Sequence, residues 1–151
     1  MRALSQRVSS AAVKVDGQVI GSIQQGLVVF LGIARTDTLS DATYIVNKVV
    51  NMRLFDNSAG MFDLSALDIR SELLIVSQFT LYAQTRKGRR PSFVDAMPPG
   101  QASVLYKQTV ELFQESGLVI ETGIFKSHME VSLTNDGPVT VMVDSMDRAL
   151  K

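Results

Sequence analysis

Two short polar clusters between apolar runs are the places where this sequence could do chemistry. They are Ser77-Gln78-Phe79-Thr80 and Asn135-Asp136-Gly137-Pro138-Val139-Thr140. Each sets hydroxyl, amide or Gly-Pro groups where a packed sheet would hold them still. A buried donor or acceptor left unpaired costs roughly 1–3 kcal/mol, so such groups invite a functional explanation. Hydroxyls, amides and backbone N–H groups can stabilise a developing oxyanion, a contribution of roughly 2.7–4 kcal/mol for one well-placed donor. The second cluster reads equally as a hairpin turn, because Asn, Asp, Gly and Pro each favour turns for a separate physical reason.

Composition narrows the alternatives. The chain has no cysteine and a single histidine, His128. That removes disulfides, thiolate catalysis and cysteine-ligated metals, and leaves a histidine-rich zinc site short of ligands. No metal and no cofactor is expected. His128, next to Met129 at a strand start, reads as a surface residue rather than a catalytic base. No Gly-x-Ser-x-Gly elbow surrounds any serine, Gly-rich phosphate motifs are missing, and the acidic residues are scattered. What remains is a site of hydroxyls, amides and backbone groups without a strong base, so the substrate or a water would have to supply one.

The concentrated positive run is Arg86-Lys87-Gly88-Arg89-Arg90-Pro91. Arginine forks bind phosphate oxygens in pairs, so four cations around a glycine suit a phosphate-binding loop. A solvated, mobile loop is the other reading. The run follows closely on Thr80, near the mouth of any pocket built around Ser77-Gln78-Phe79-Thr80. Elsewhere the 15 basic and 15 acidic residues cancel, so no global field announces nucleic acid and any such contact must be local. Neutral polar groups beside a basic loop suit a substrate with an uncharged reacting end and a polyphosphate body, such as aminoacyl-tRNA.

The elements that would hold these groups follow from periodicity. At 151 residues the chain reads as one domain with a real core. Val8–Val15 and Val19–Ile23 flank Asp16-Gly17, a hairpin signal, and Leu27–Ile33 suits a strand buried on both faces. From Asp41 to Leu54 the period becomes helical, with Ser40 as N-cap and Ile45, Val46, Val49, Val50 and Leu54 on one face. Leu73–Tyr82 reads as a strand carrying the first polar cluster at its middle. Pro98-Pro99 opens a second helix, with Ala102, Leu105, Thr109, Leu112 and Phe113 inward and Gly117 as stop. Val119–Thr122, Met129–Leu133 and Val139–Val143 read as closing strands. The class is α+β: a curved, largely antiparallel sheet or partial β-barrel packed by two helices. The N-terminus becomes charged before a signal-peptide core could form, and the longest apolar run, Leu27–Ala34, is too short to span a bilayer. A soluble cytoplasmic protein is expected.

Four collinear motifs carry a resemblance. They are Arg2-Ala3-Leu4 with Gln6-Arg7-Val8, Ser77-Gln78-Phe79-Thr80-Leu81, Arg90-Pro91-Ser92-Phe93, and Asn135-Asp136-Gly137-Pro138-Val139-Thr140. Together they resemble the D-aminoacyl-tRNA deacylases, once called D-tyrosyl-tRNA deacylases. The resemblance covers residues 1–143 and leaves 144–151 as a polar tail, frayed or in a short helix. It implies a homodimer that hydrolyses the ester joining a D-amino acid, or glycine, to the terminal ribose of tRNA.

It further implies that Gly137-Pro138 is cis and enters the partner's pocket, where backbone atoms leave no room for an L side chain. The backbone N–H groups of Phe79 and Thr80 would hold the oxyanion. Ser77 and Gln78 would receive the terminal adenosine, Arg7 would close on the Gly-Pro element, and Phe125 and Met129 would line the pocket. Arg86, Lys87, Arg89 and Arg90 would contact tRNA. On residue type alone, Arg7 reads equally as a surface salt bridge, and Phe125 and Met129 as core. Thr80 Oγ is a weak nucleophile without a base, so attack by water assisted by the ribose 2′-hydroxyl is the more economical route. A non-catalytic RNA-binding module and an esterase for free D-amino-acid derivatives are the competing classes.

Overall fold

The computed structural model, which describes residues 1–149, begins with a long strand, β1 (Arg2–Val15), on which the rest of the sheet is assembled. At Asp16-Gly17 the chain reverses into β2 (Gln18–Ile23), and both turn residues hold the positive φ that a two-residue hairpin requires. β3 (Gly26–Gly32) pairs antiparallel with the first half of β1, from Arg2↔Gly32 to Val8↔Gly26. After helix α1 (Leu39–Asn51) come a small hairpin, β4 (Phe55–Asp56) with β5 (Phe62–Leu64), and a one-turn helix, α2 (Ala66–Ile69). β6 (Glu72–Ser77) then lies parallel to β3. Helix α3 (Pro99–Gln114) leads to β7 (Ile120–Thr122), parallel to β6. The last strand, β8 (Glu130–Asp144), runs antiparallel along the other edge of β1.

The sheet order is β2-β1-β3-β6-β7, with β8 on the far side of β1, and β2 folds back against β6 and β7. The result is the curved α+β sheet expected from sequence, though mixed in direction and covered by three helices rather than two. Period-two alternation divides its side chains between two cores. Leu27, Val29, Leu31, Leu73 and Ile75 face α1 and α3, whereas Val28, Leu74 and Val76 fill the concave side with Val8, Val13 and Ile23. Both faces of β3 and β6 are therefore dry, which explains their unbroken apolar runs.

Several boundaries differ from the sequence reading. Thr38, not Ser40, caps α1, because Asp41 three residues on reaches back to the Thr38 N–H at 2.9 Å. Leu54 lies beyond the helix yet is buried. Tyr106 joins the buried stripe of α3, whereas Leu112 is only partly buried. Met129–Leu133 and Val139–Val143 are not two strands: β8 starts at Glu130, just after Met129, and runs on through Val143. Leu73–Tyr82 is not one strand, since β6 stops at Ser77 and a 3₁₀ turn spans Phe79–Tyr82. Beyond β8, Ser145–Ala149 forms a further 3₁₀ turn, and Ser145 bonds to Met1 through both its N–H (2.8 Å) and its Oγ (2.6 Å). Residues 150 and 151 of the expected tail lie outside the described residues.

Candidate active site

The parallel strands β3 and β6 end side by side, Leu31 opposite Ser77, and a cleft of about 710 Å³ opens there. Ends of parallel strands are natural binding positions because the chain must leave the sheet and free its backbone groups. Leu31, Val76, Ser77, Gln78 and Phe79 line one side of this cleft. Phe93, Met97, Pro98 and Ala102 line it from the start of α3 and the loop before it. Phe125, His128 and Met129 line it from the loop before β8.

The turn after β6 is the polar part. The Gln78 N–H donates to the Leu31 carbonyl at 2.8 Å, which fixes the chain as it leaves the sheet. Within the turn, the Leu81 N–H donates to the Gln78 carbonyl (3.3 Å) and the Ala83 N–H to the Thr80 carbonyl (3.0 Å). The N–H groups of Phe79 and Thr80 stand at the open end of this turn, where no intrahelical acceptor exists. Close packing holds the turn down on β3: a Cβ on Gly32 would lie 3.0 Å from both the Gln78 carbonyl oxygen and Leu81 Cβ. Arg2 ties the far end, donating to the Leu81 carbonyl (2.9 Å) and to Asp144 (2.9 Å) while lying over the Tyr82 ring. Burial alone would raise the Asp144 carboxyl, but the Arg2 guanidinium, the Met146 N–H and the N-terminal ammonium together hold the group below its ordinary range.

Thr80 sits on the rim, outside the lining, and its hydroxyl accepts from the Gln78 side-chain amide. The Phe79 ring is 58% exposed and meets Phe93 edge-on, centroids 4.9 Å apart. Opposite, Phe125 packs on Tyr106 at 5.5 Å, and the buried Tyr106 hydroxyl donates to the Ile75 carbonyl at 3.0 Å. Burial pushes the Tyr106 phenol far above its ordinary pKa, so it is a neutral donor. Met129 lies over Gly123, where an added Cβ would collide with its sulfur. Ser77, Gln78, Phe79, Phe125 and Met129 thus meet in one cleft.

Arg86, Lys87, Arg89 and Arg90 do not line the cleft. They form the exposed tip of an excursion closed by the Gln84↔Ser92 bridge, one residue before Phe93. Among the described residues none of the four takes part in an ion pair.

Gly137 and Pro138 do not line the cleft of their own chain either. Asn135 pairs with Val8 and Thr140 with Gln6, so β8 spends extra residues between two nearly adjacent rungs and Asp136-Gly137-Pro138 projects outward, exposed. This is an excursion within a strand, not a hairpin turn. The Gly137-Pro138 bond is cis. Asn135 closes the base, its Oδ1 accepting from the Val139 N–H (2.7 Å) and its Nδ2 donating to Thr140 Oγ1 (2.9 Å). Arg7 is buried rather than on the surface, though its ion-pair partners Asp56 and Asp136 are exposed: Nε donates to the Asp136 carbonyl (2.9 Å) and Nη1 to the Leu54 carbonyl (2.8 Å).

Phe93, Met97, Pro98, Ala102 and His128 are cleft residues that reading the sequence did not assign. Phe93 alone had a signal, as the last residue of the Arg90-Pro91-Ser92-Phe93 motif. His128 is exposed, as expected, but at the cleft wall. Among the described residues no cluster of three or more His, Asp or Glu is placed to hold a metal, and no helix is long and apolar enough to cross a membrane.

Fold and cleft together define a small α+β domain that can hold a flat group between aromatic walls and present N–H donors at its edge. The family model described as D-Tyr-tRNA(Tyr) deacylase matches residues 4–144. The D-aminoacyl-tRNA deacylase of Aquifex aeolicus (strain VF5) is 52% identical over 147 residues, covering 97% of this chain and 99% of that protein. The D-aminoacyl-tRNA deacylase of Clostridium botulinum (strain Eklund 17B / Type B) is 50% identical over 145 residues, 96% and 97% of the two chains. Among solved structures, a c-Myc DNA unwinding element binding protein matches with a TM-score of 0.90 at 38% identity, over 95% of this chain and 98% of that one. The chain belongs to the D-Tyr-tRNA(Tyr) deacylase family.

Proposed function

We propose that this chain is a homodimeric D-aminoacyl-tRNA deacylase, a hydrolase that releases a D-amino acid or glycine from the terminal ribose of tRNA in the cytoplasm. The observation that carries the reading is the 3₁₀ turn after Ser77, whose first residue, Phe79, lines an aromatic cleft and whose first N–H groups have no intrahelical acceptor, in a member of this family. In this reading the terminal adenosine enters between Phe79, Phe93 and Phe125, with Ser77 and Gln78 at its edge. The N–H groups of Phe79 and Thr80 receive the carbonyl oxygen as it gains charge, the place where a fixed donor acts most strongly. Thr80 positions rather than attacks, and the ribose 2′-hydroxyl assists the water. Arg86, Lys87, Arg89 and Arg90, free of ion pairs among the described residues, take the tRNA phosphates.

Selection against L-amino acids falls to the Gly137-Pro138 segment of one protomer, inserted in its partner's cleft. Its outward projection and its absence from its own cleft support this placement. A wall of main-chain atoms would reject any L side chain whatever its chemistry, while glycine, with none, would pass.

The test is the rate of deacylation of matched D-tyrosyl-tRNA and L-tyrosyl-tRNA by the purified protein. Fast loss of the D ester with the L ester spared is the expected result. Equal loss would indicate a general esterase, and loss of neither would favour an RNA-binding module.

A further inference from the structure

The β4–β5 hairpin contributes nothing to the lining of the cleft, yet two of its side chains converge on the guanidinium that holds the projecting segment. Asp56 Oδ2 accepts from Arg7 Nη1 at 3.2 Å, and the Phe62 ring covers the guanidinium at 5.3 Å. Asp56 and Phe62 are paired across the ladder, so the hairpin presents carboxylate and ring as one unit. The other neighbours of Arg7 are the Leu54 carbonyl, the Asp136 carbonyl, and Asp136 Oδ2, 3.7 Å from Nε. Gly137 lies directly against it: a Cβ there would be 3.3 Å from Nη2.

We infer that Asp56 and Phe62 are positioning residues for stereochemical selection, setting through Arg7 where Gly137-Pro138 stands. The inference rests on the reading that this segment excludes L-amino acids. A guanidinium is a planar fork whose donors point in fixed directions, so its orientation is decided by its acceptors taken together. Two acceptors are backbone carbonyls, and Asp56 supplies the close charged one from outside the projecting segment. Without Asp56 the nearest carboxylate is Asp136, on the very segment Arg7 must hold in place, and the Leu54 carbonyl is left as the single hydrogen-bond acceptor that ties the cation from outside that segment. Without the Phe62 ring one face of the guanidinium is uncovered, and its plane is free to tilt.

The hairpin itself does not depend on these contacts. Arg53 pairs with Asp63 at 3.0 Å, and Asn57 Oδ1 accepts from the N–H groups of Ala59 (2.8 Å) and Met61 (3.2 Å). Asp56 is 43% exposed at its side chain and Phe62 is 55% exposed, so replacing either removes little core.

The experiment compares full-length wild type, Asp56→Asn, Asp56→Glu and Phe62→Leu, measuring hydrolysis of D-tyrosyl-tRNA and L-tyrosyl-tRNA together with thermal unfolding. The expected result is a rise of about tenfold in the L-to-D rate ratio for Asp56→Asn, a smaller rise for Phe62→Leu, and recovery toward wild type in Asp56→Glu. A ratio that stays fixed overturns the inference, whether both rates hold or both fall in step with lost stability. A wild type that selects D while the variants keep that selection sinks this inference alone. A wild type that hydrolyses both esters alike sinks the parent reading as well.

Discussion

The floor of the cleft, which is the end of β6 with the turn that follows it, and the Gly137-Pro138 segment are both polar interruptions of strands, but they are held in opposite ways. The floor is fixed by backbone and packing. The Ile75 carbonyl receives both the Tyr106 hydroxyl (3.0 Å) and the Gly123 N–H (3.2 Å), the Gln78 N–H is spoken for by Leu31, and apolar side chains cover both faces of β6. The projecting segment has left its ladder, and side chains bridge the gap: Asn135 across its base, Arg7 at its flank. A feature held by the sheet can shift only if the core shifts. A feature held by a few side chains can be re-aimed by changing one of them. Changes at the floor should therefore alter rate, and changes around the segment should alter the ratio of D to L hydrolysis.

The sharpest way to break this contrast is Gly137→Ala. Gly137 has φ of +137°, a region that L side chains rarely adopt, and an added Cβ would lie 2.6 Å from Val139 Cγ2. The segment must move, and the L-to-D rate ratio should rise on the order of 100-fold, the scale of loss from about 1 Å of misplacement. An unchanged ratio in a folded protein would remove this segment from selection. Next in size is Gly32→Ala. Its Cβ would press on the Gln78 carbonyl and Leu81, shifting the turn by a few tenths of an ångström. Hydrolysis of the D ester should fall about tenfold with the ratio nearly constant, as expected when oriented donors lose their aim. A change in ratio instead would mean that floor and segment are not separate devices.

The sequence exposed these two regions unequally, for physical reasons. The Ser77-Gln78-Phe79-Thr80 cluster was visible because hydroxyl and amide groups interrupt an apolar run, and α3 was visible because Pro98-Pro99 and Gly117 mark its ends. The Asp16-Gly17 turn was legible because its conformation is local. Asn135–Thr140 was ambiguous without the resemblance, since turn residues serve a hairpin and a mid-strand excursion alike. Only the pairing of Val8 with Asn135 and Gln6 with Thr140 tells them apart. Arg7 could not be recognised as buried, because a charge in a strand normally faces water. Its acceptors at Leu54, Asp56 and Asp136 are distant in sequence. The same holds for Ala102, Met97 and His128, which reach the cleft from elements that meet only in the folded chain. Thr38 displaced Ser40 as the cap because Asp41 lies at the correct spacing from it.

The smallest effect belongs to Tyr106→Phe, which tests whether the floor is over-determined. The substitution deletes the hydrogen bond to Ile75 but keeps the ring against Phe125, and the Ile75 carbonyl retains the Gly123 N–H. No acceptor is orphaned, so the cost is one net hydrogen bond, about 1 kcal/mol. Thermal unfolding should move down by about 2–4 °C for a domain of this size. Hydrolysis of the D ester should stay within about twofold of wild type. The sign of the pH dependence gives a second check. Burial raises the Tyr106 phenol above its ordinary value, so above about pH 10 the unfolded chain loses a proton that the folded chain retains, and stability falls as pH rises. That alkaline loss should be smaller in Tyr106→Phe. A tenfold drop in rate, matching Gly32→Ala, would instead mean that the floor hangs on one hydroxyl, and the contrast with the projecting segment would disappear.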